Sequence, residues 1–291
     1  MRAYLLCLCL CIGLGSSLSA QDTIPSSPRL TGRQKLIIGG LAVQQVASFY
    51  VQYHWWWEKN YHSFRFENDG LLNNYSLAVD KLGHFFTSYL YFHSLNEIMT
   101  WGGFSERTRM ITATAMPFAW ALSIEIGDGF SKDYGFSTAD LAANCIGIGY
   151  GYLQYKVPYM RNFKFKMSYY PTAYYRDNHY KDWSLTSDYR GHFYWLSFDV
   201  HNLLPKRAQR FWPPFLNMAV GYGIDKNTYP PLSQPKDREF GIAFDWNIGS
   251  FSTRHKGLYV VKELVDYFHY PAPGVTRVQG QQAEYKLLLL R

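Results

Sequence analysis

Cysteine is scarce: the chain has 4 in 291 residues, and Cys7, Cys9 and Cys11 all lie near its start. They sit in an apolar run, residues 3–14, that follows Arg2 and leads to Ser16-Ser17-Leu18-Ser19-Ala20 ahead of Gln21. A basic start, a short apolar run and small residues at a cleavage point describe a secretory signal peptide, too short to stay as a membrane anchor. Cleavage after Ala20 would leave Cys145 alone, which excludes an intramolecular disulfide even in an oxidising compartment. No cysteine directly follows the small residues, so lipid attachment is not expected. The chain also lacks a nucleophile elbow, a P-loop and any internal repeat, so no motif names an activity. Its net charge of +7 comes from scattered rather than striped Lys and Arg, which argues against a nucleic-acid partner and for a surface facing anionic lipid or sugar.

Charge is missing from whole stretches. Residues 36–57 contain no Asp, Glu, Lys or Arg and end in Trp55-Trp56-Trp57. That length could span a bilayer, although Gln44, Gln45, Gln52 and His54 equally suit a buried helix. Residues 82–96, 110–124 and 141–155 are also uncharged and bounded by charge. A 15-residue helix rises only about 22 Å, short of a hydrocarbon core of about 30 Å, unless the bounding charges share the interior as pairs. Pro117 falls inside the third run, and Gly147 and Gly151 with Ala142 and Ala143 give the fourth a small-residue face.

What is abundant is aromatic: 19% of the chain, with 25 Tyr and 9 Trp. Such residues accumulate at membrane interfaces and carbohydrate-binding surfaces. After Pro158 the pattern changes to alternation. Phe240, Ile242, Phe244, Trp246 and Ile248 interleave with Gly241, Ala243, Asp245 and Asn247. Met218 to Ile224, Tyr194 to Val200 and Phe163 to Tyr169 repeat this period of two, and residues 284–290 add another strand. Large apolar residues on one face and small or polar ones on the other suit a lipid-facing barrel or a sheet laid on helices. The five or six strands counted, and a helical pattern over 258–268, favour a sheet or partial barrel over a closed one.

The expected fold is α+β, with a signal peptide over 1–20, a helical domain of about four apolar helices over 21–158, and a mainly antiparallel β domain over 159–291. The polar residues of the helical part lie where its apolar runs end. Asp80 and His84 are four apart at the start of the second helix, Glu125 and Asp128 close the third, and Asp140 and Asn144 are four apart near the start of the fourth. Antiparallel helices would bring all of them to one end.

In order, Asp80-Lys81-x-x-His84-Phe85, Glu125-x-x-Asp128 and Phe136-Ser137-x-x-Asp140-x-x-x-Asn144-x-x-Gly147 resemble the YfiM-like family of periplasmic lipoproteins. A weaker similarity runs to the VanZ-like membrane proteins associated with glycopeptide resistance. The resemblance covers residues 76–155 and implies an envelope location and a shared polar site, but no reaction. Three uses of the site stay open. Asp80, His84, Glu125, Asp128 and Asp140 could hold a divalent metal. His84 could act as a base on an envelope lipid or glycan, with Asp80 and Glu125 orienting it, in a hydrolase or transferase. Or the cluster is structural, with Lys81 paired to Asp128 or Glu125, and Ser137 and Asp140 capping the fourth helix beside Asn144. Histidines 62, 93, 179, 192, 201, 255 and 269 lack carboxylate or cysteine neighbours at ligand spacing and read as surface or packed residues. Cys145 reads as a small core residue, and the Tyr-rich stretch 169–189 as an interfacial or strand-edge segment rather than a sugar site.

Overall fold

The computed structural model describes residues 29–72, 75–177, 186, 188–225 and 237–290. The signal sequence, its cleavage point, His179 and part of the Tyr-rich stretch lie outside these residues.

Four long helices come first: α1 (Gly32–Gln52), α2 (Val79–Trp101), α3 (Glu106–Gly129) and α4 (Thr138–Lys156). Helices α2, α3 and α4 each extend past their uncharged runs and take in the bounding charges, whereas α1 gives way to a π-helical turn over Tyr53–Trp57 before its run ends. Thr31, Ser105 and Ser137 cap α1, α3 and α4 by accepting from backbone N–H groups of the first turn, which satisfies donors that the helix itself cannot pair. A left-handed pair, Leu77 (φ 49°) and Ala78 (φ 74°), turns the chain into α2. Pro117 is buried within α3 without ending it.

Helix α2 is central, burying Phe92 and Leu95 against Met110 and Ala113 of α3 and Ile148 of α4. It approaches α4 closely because Gly147 and Gly151 carry no Cβ; one at Gly147 would collide with the Phe85 carbonyl oxygen. Helix α1 buries only Ile37 and Gln52, leaving Leu36, Val43, Val46 and Tyr50 more than 60% exposed. It meets its neighbours through Leu41, which packs on the cluster around Phe92 and Leu95, and through polar contacts: Tyr91 Oη donates to Gln44 Oε1 at 3.0 Å, and Trp120 Nε1 to Ser48 Oγ at 2.9 Å. By length and composition, α3 alone among the described helices could cross a membrane, a test that core helices also pass.

Strands β1 (Phe66–Glu67) and β2 (Phe136–Ser137) form a short parallel pair. The main sheet is antiparallel, in the order β3 (Phe163–Tyr169), β4 (His192–Phe198), β5 (Leu216–Ile224), β6 (Arg238–Trp246), β7 (Ala272–Val278) and β8 (Ala283–Leu289), with α5 (Lys256–Val265) between β6 and β7. The α+β class with a mainly antiparallel sheet is therefore as the sequence pattern indicates. Two strands stop earlier than the alternation suggests. Ile248 starts a short 3-10 turn because its N–H is drawn to Asp266 Oδ1 at 2.9 Å. Val200 starts a helical turn capped by Asp199. The sheet curls until Met167 of β3 exchanges backbone hydrogen bonds with Tyr267 and His269, in the chain leading into β7.

Helices and sheet share a core in which Val79, Phe86 and Tyr89 of α2 pack with Tyr194, Ile224 and Tyr267. Cys145, expected inside, is exposed on α4, since the buried face of that helix is set by Ala143, Asn144, Gly147, Ile148 and Gly151.

Candidate functional site

The polar residues gather where the starts of α2 and α4 meet the end of α3. Asp80, in the first turn of α2, has its N–H held by Ser76 Oγ at 3.0 Å. One turn on, His84 points Nε2 at Asp140 Oδ1 (3.4 Å) and Asp80 Oδ1 (3.8 Å). Asp140 is placed by the cap of α4, its N–H donating to Ser137 Oγ at 3.1 Å. Donor atoms of Asp80, His84 and Asp140 all lie within 4.8 Å of one another. Both carboxylates are buried, whereas the His84 side chain keeps 26% of its surface.

The opposite ring nitrogen has other neighbours. Asn144 Nδ2 lies 3.2 Å from His84 Nδ1 while its Oδ1 accepts from Ser88 Oγ at 2.7 Å. Glu125 Oε1 is 4.0 Å from Nδ1, and its Oε2 accepts from the Ser137 N–H at 3.1 Å. Glu125 thus faces the imidazole from the side away from Asp80 and Asp140, so it does not share their point of convergence. Asp128 is also outside it: Trp57 Nε1 donates to Asp128 Oδ1 at 2.7 Å. Of the five candidate ligands, three converge.

The expected pairing of Lys81 with Asp128 or Glu125 is not found. Its ammonium sits 2.9 Å from Asp80 Oδ2, 2.6 Å from Asp140 Oδ1, and against Asp69. The reason is a residue that the helical pattern did not single out. Asp69 follows β1, which pairs with β2 and brings its carboxylate beside α4, where Ser137 Oγ donates to Asp69 Oδ1 at 3.0 Å. Arg65 fastens that loop through the carbonyl oxygens of Lys132 and Tyr134. An acidic residue on an uncharged-helix border was a readable signal; one delivered by a two-residue strand was not.

Charge at the site is unevenly matched, with three carboxylates, Asp69, Asp80 and Asp140, around one ammonium. Burial works against ionised Asp80, yet the charges of His84 and Lys81 outweigh it and hold that carboxyl below its usual range. Burial wins at Asp140, which is raised despite His84. It wins more fully at Glu125, pushed up to about 9 by burial and then by Asp140, so Glu125 is protonated near neutrality and adds no charge. Asp140 Oδ1 is shared between the Lys81 ammonium at 2.6 Å and His84 Nε2 at 3.4 Å.

A second charged group lies within the sheet. Lys166, fully buried, meets Asp245 Oδ2 at 2.7 Å and Asp266 Oδ1 at 3.0 Å, and His269 Nδ1 lies 2.9 Å from Asp245 Oδ1. His269 is packed as expected but has carboxylate company from 24 residues away. His93 is packed too, against Gln154 Oε1 at 3.0 Å, and burial lowers its pKa to about 3.

Residues 68–156 match the family described as "Predicted periplasmic lipoprotein (DUF2279)", a stretch that includes Asp69, every sequence-predicted site residue and the three helices that hold them. The match supports export to the periplasm. No curated protein and no solved structure matches the chain.

Proposed function

We propose that this is an exported cell-envelope protein whose helical part binds a divalent cation through Asp80, His84 and Asp140. The carrying observation is the convergence of two buried carboxylates on one imidazole nitrogen, with donor atoms within 4.8 Å of one another. Two further features support it. Lys81 is the one permanent cation beside the three carboxylates of Asp69, Asp80 and Asp140, and buried charge in excess is costly unless a further cation shares the site. The partly exposed His84 edge leaves a route for ligand exchange. One nitrogen and two oxygen donors suit zinc, manganese or iron rather than calcium, which prefers oxygen alone. A cation at Nε2 would require the ring proton on Nδ1, with Glu125 Oε1, 4.0 Å away, as the acceptor on that side and the Asn144 amide, whose Nδ2 now faces Nδ1 at 3.2 Å, turned to present its oxygen.

The same site is where a hydrolase or transferase acting on an envelope lipid or glycan would do its chemistry. Glu125, protonated near neutral pH, would there serve as a proton donor rather than a base. His84 would hold or move the proton at Nε2.

The purified protein, stripped of metal, should take up one zinc or manganese ion by calorimetry. His84→Ala and Asp140→Asn should each weaken uptake by about tenfold or more while the circular dichroism spectrum is kept. Uptake that is absent in the parent, or unchanged in both variants, would leave the cluster as a structural network only.

A further inference from the structure

On β5 and β6 the main sheet turns its small and polar side chains inward and its larger apolar ones outward. Their inner face carries Asn217, Ala219, Glu239, Ala243 and Asp245, all buried, beside Lys166 and Ser197 and under the rings of Phe193 and Trp195 from β4. The sheet's outer face carries Val220 (45% exposed), Ile242 (57%), Val275 (41%) and Tyr285 (68%), registered as one row across β5, β6, β7 and β8. Met218 with Phe244, and Phe240 one step along, widen it. Toward β3 and β4 the same outer face is covered by α2, where Phe85 and Phe86 meet Phe165 and Tyr194. Beyond β5 the row stays open apart from Trp212, whose ring lies 6.4 Å from that of Phe244. An open apolar face of this extent marks an interaction surface.

The chemistry at one end of these strands identifies the occupant. The connection from β4 to β5 carries Lys206, Arg207 and Arg210, all exposed, next to exposed Phe211 (75%) and Phe215 (39%). Phe215 stacks on Trp246 at the end of β6 and on exposed Phe251. Asp199, the only acidic residue from 199 to 215, is engaged as a helix cap by Asn202. Apolar side chains bordered by aromatic rings and then by cations reproduce the order met from hydrocarbon to anionic headgroup. The free edge of β8 would leave backbone groups unpaired within hydrocarbon, which favours contact through one face over spanning.

We propose that the outer face of β5 to β8 rests on the hydrocarbon of a bilayer containing anionic phospholipid, with Lys206, Arg207 and Arg210 on the headgroups. This surface is distinct from the helical polar site and does not depend on metal there. Flotation of the processed full-length protein with vesicles of phosphatidylethanolamine and phosphatidylglycerol tests it. The parent should float. Phe240→Arg/Ile242→Arg should lower the bound fraction about tenfold with an unchanged melting curve, because both side chains already face solvent in the free protein. Arg207→Glu/Arg210→Glu should lose binding to the anionic vesicles while matching the parent on pure phosphatidylcholine, and this pair keeps the test decisive if the first variant fails to fold. Equal flotation of parent and both variants would overturn the proposal. So would a parent dimer by light scattering that Phe240→Arg/Ile242→Arg converts to monomer without altering flotation, since a second copy would then be what covers the face.

Discussion

Asp128 shows what a single buried carboxyl does to stability. Burial raises its pKa to about 6 from an ordinary 3.8, against the opposing hydrogen bond from Trp57. A folded-state pKa above the unfolded one means the folded protein holds the proton more tightly between those values. Asp128 therefore costs nothing below its unfolded pKa, and its cost grows as pH rises toward the folded value, then stays constant. Asp128→Asn keeps an oxygen for Trp57 and removes the titration. The difference in melting temperature, variant minus parent, should rise from about pH 4 to about pH 6 and then level off; a flat difference across that range would reject the assignment. At this scale the sequence was informative where helical spacing applied. Asp80 with His84, and Asp140 with Asn144, were readable as pairs because each residue repeats along one helix face. Asp69 was not readable, since a loop held by β1 and Arg65 delivers it, and neither leaves a periodic trace.

Two glycines of α4, two residues apart, play opposite parts in helix packing. A Cβ at Gly147 would strike the Phe85 carbonyl oxygen, whereas one at Gly149 meets nothing within 4 Å. Gly147→Ala must push α2 and α4 apart and should destabilise by about 1–3 kcal/mol, as overpacking does. Gly149→Ala adds no clash and reduces the freedom of the unfolded chain, so it should stabilise by roughly 0.5–1 kcal/mol. Urea unfolding of the two variants separates them by sign. The small-residue face of α4 is legible in the sequence as Gly147 and Gly151 four apart, and both meet α2, whereas Gly149, two positions from each, falls on the opposite side. Strands β5 and β6 were similarly legible as alternating segments. Alternation divides a strand into two faces without saying which is inside, and here the polar face is. The ends of strands are not legible in the alternation, because Ile248 and Val200 continue it while their backbones leave the sheet for Asp266 and a helical turn.

At the scale of the whole molecule, the curled sheet is held from within by charge. Lys166 projects from β3 to Asp245 on β6 and Asp266 at the end of α5, and its ammonium also donates to the Trp246 carbonyl oxygen at 2.9 Å. One lysine therefore joins three elements far apart in sequence. Burial acts to raise the Asp245 pKa, but Lys166 and His269 outweigh it and hold the carboxyl below its usual range. Asp245 therefore contributes stability at neutral pH that is lost as pH falls through its folded-state pKa. Removing the cation leaves two buried carboxylates with less to offset them. Lys166→Met, similar in length and apolar, should cost about 3–5 kcal/mol, the loss typical of breaking a buried pair from one side. Adding Asp245→Asn removes one of the stranded charges while leaving an amide that Ser197 Oγ, now 2.6 Å from Asp245 Oδ2, can still bond. The double variant should then be more stable than Lys166→Met alone, with a coupling of roughly 1–3 kcal/mol in a double-mutant cycle. Losses that simply add would mean that Lys166 and Asp245 act independently, and the buried pair would not be what draws β3 and β6 together across the inside of the sheet.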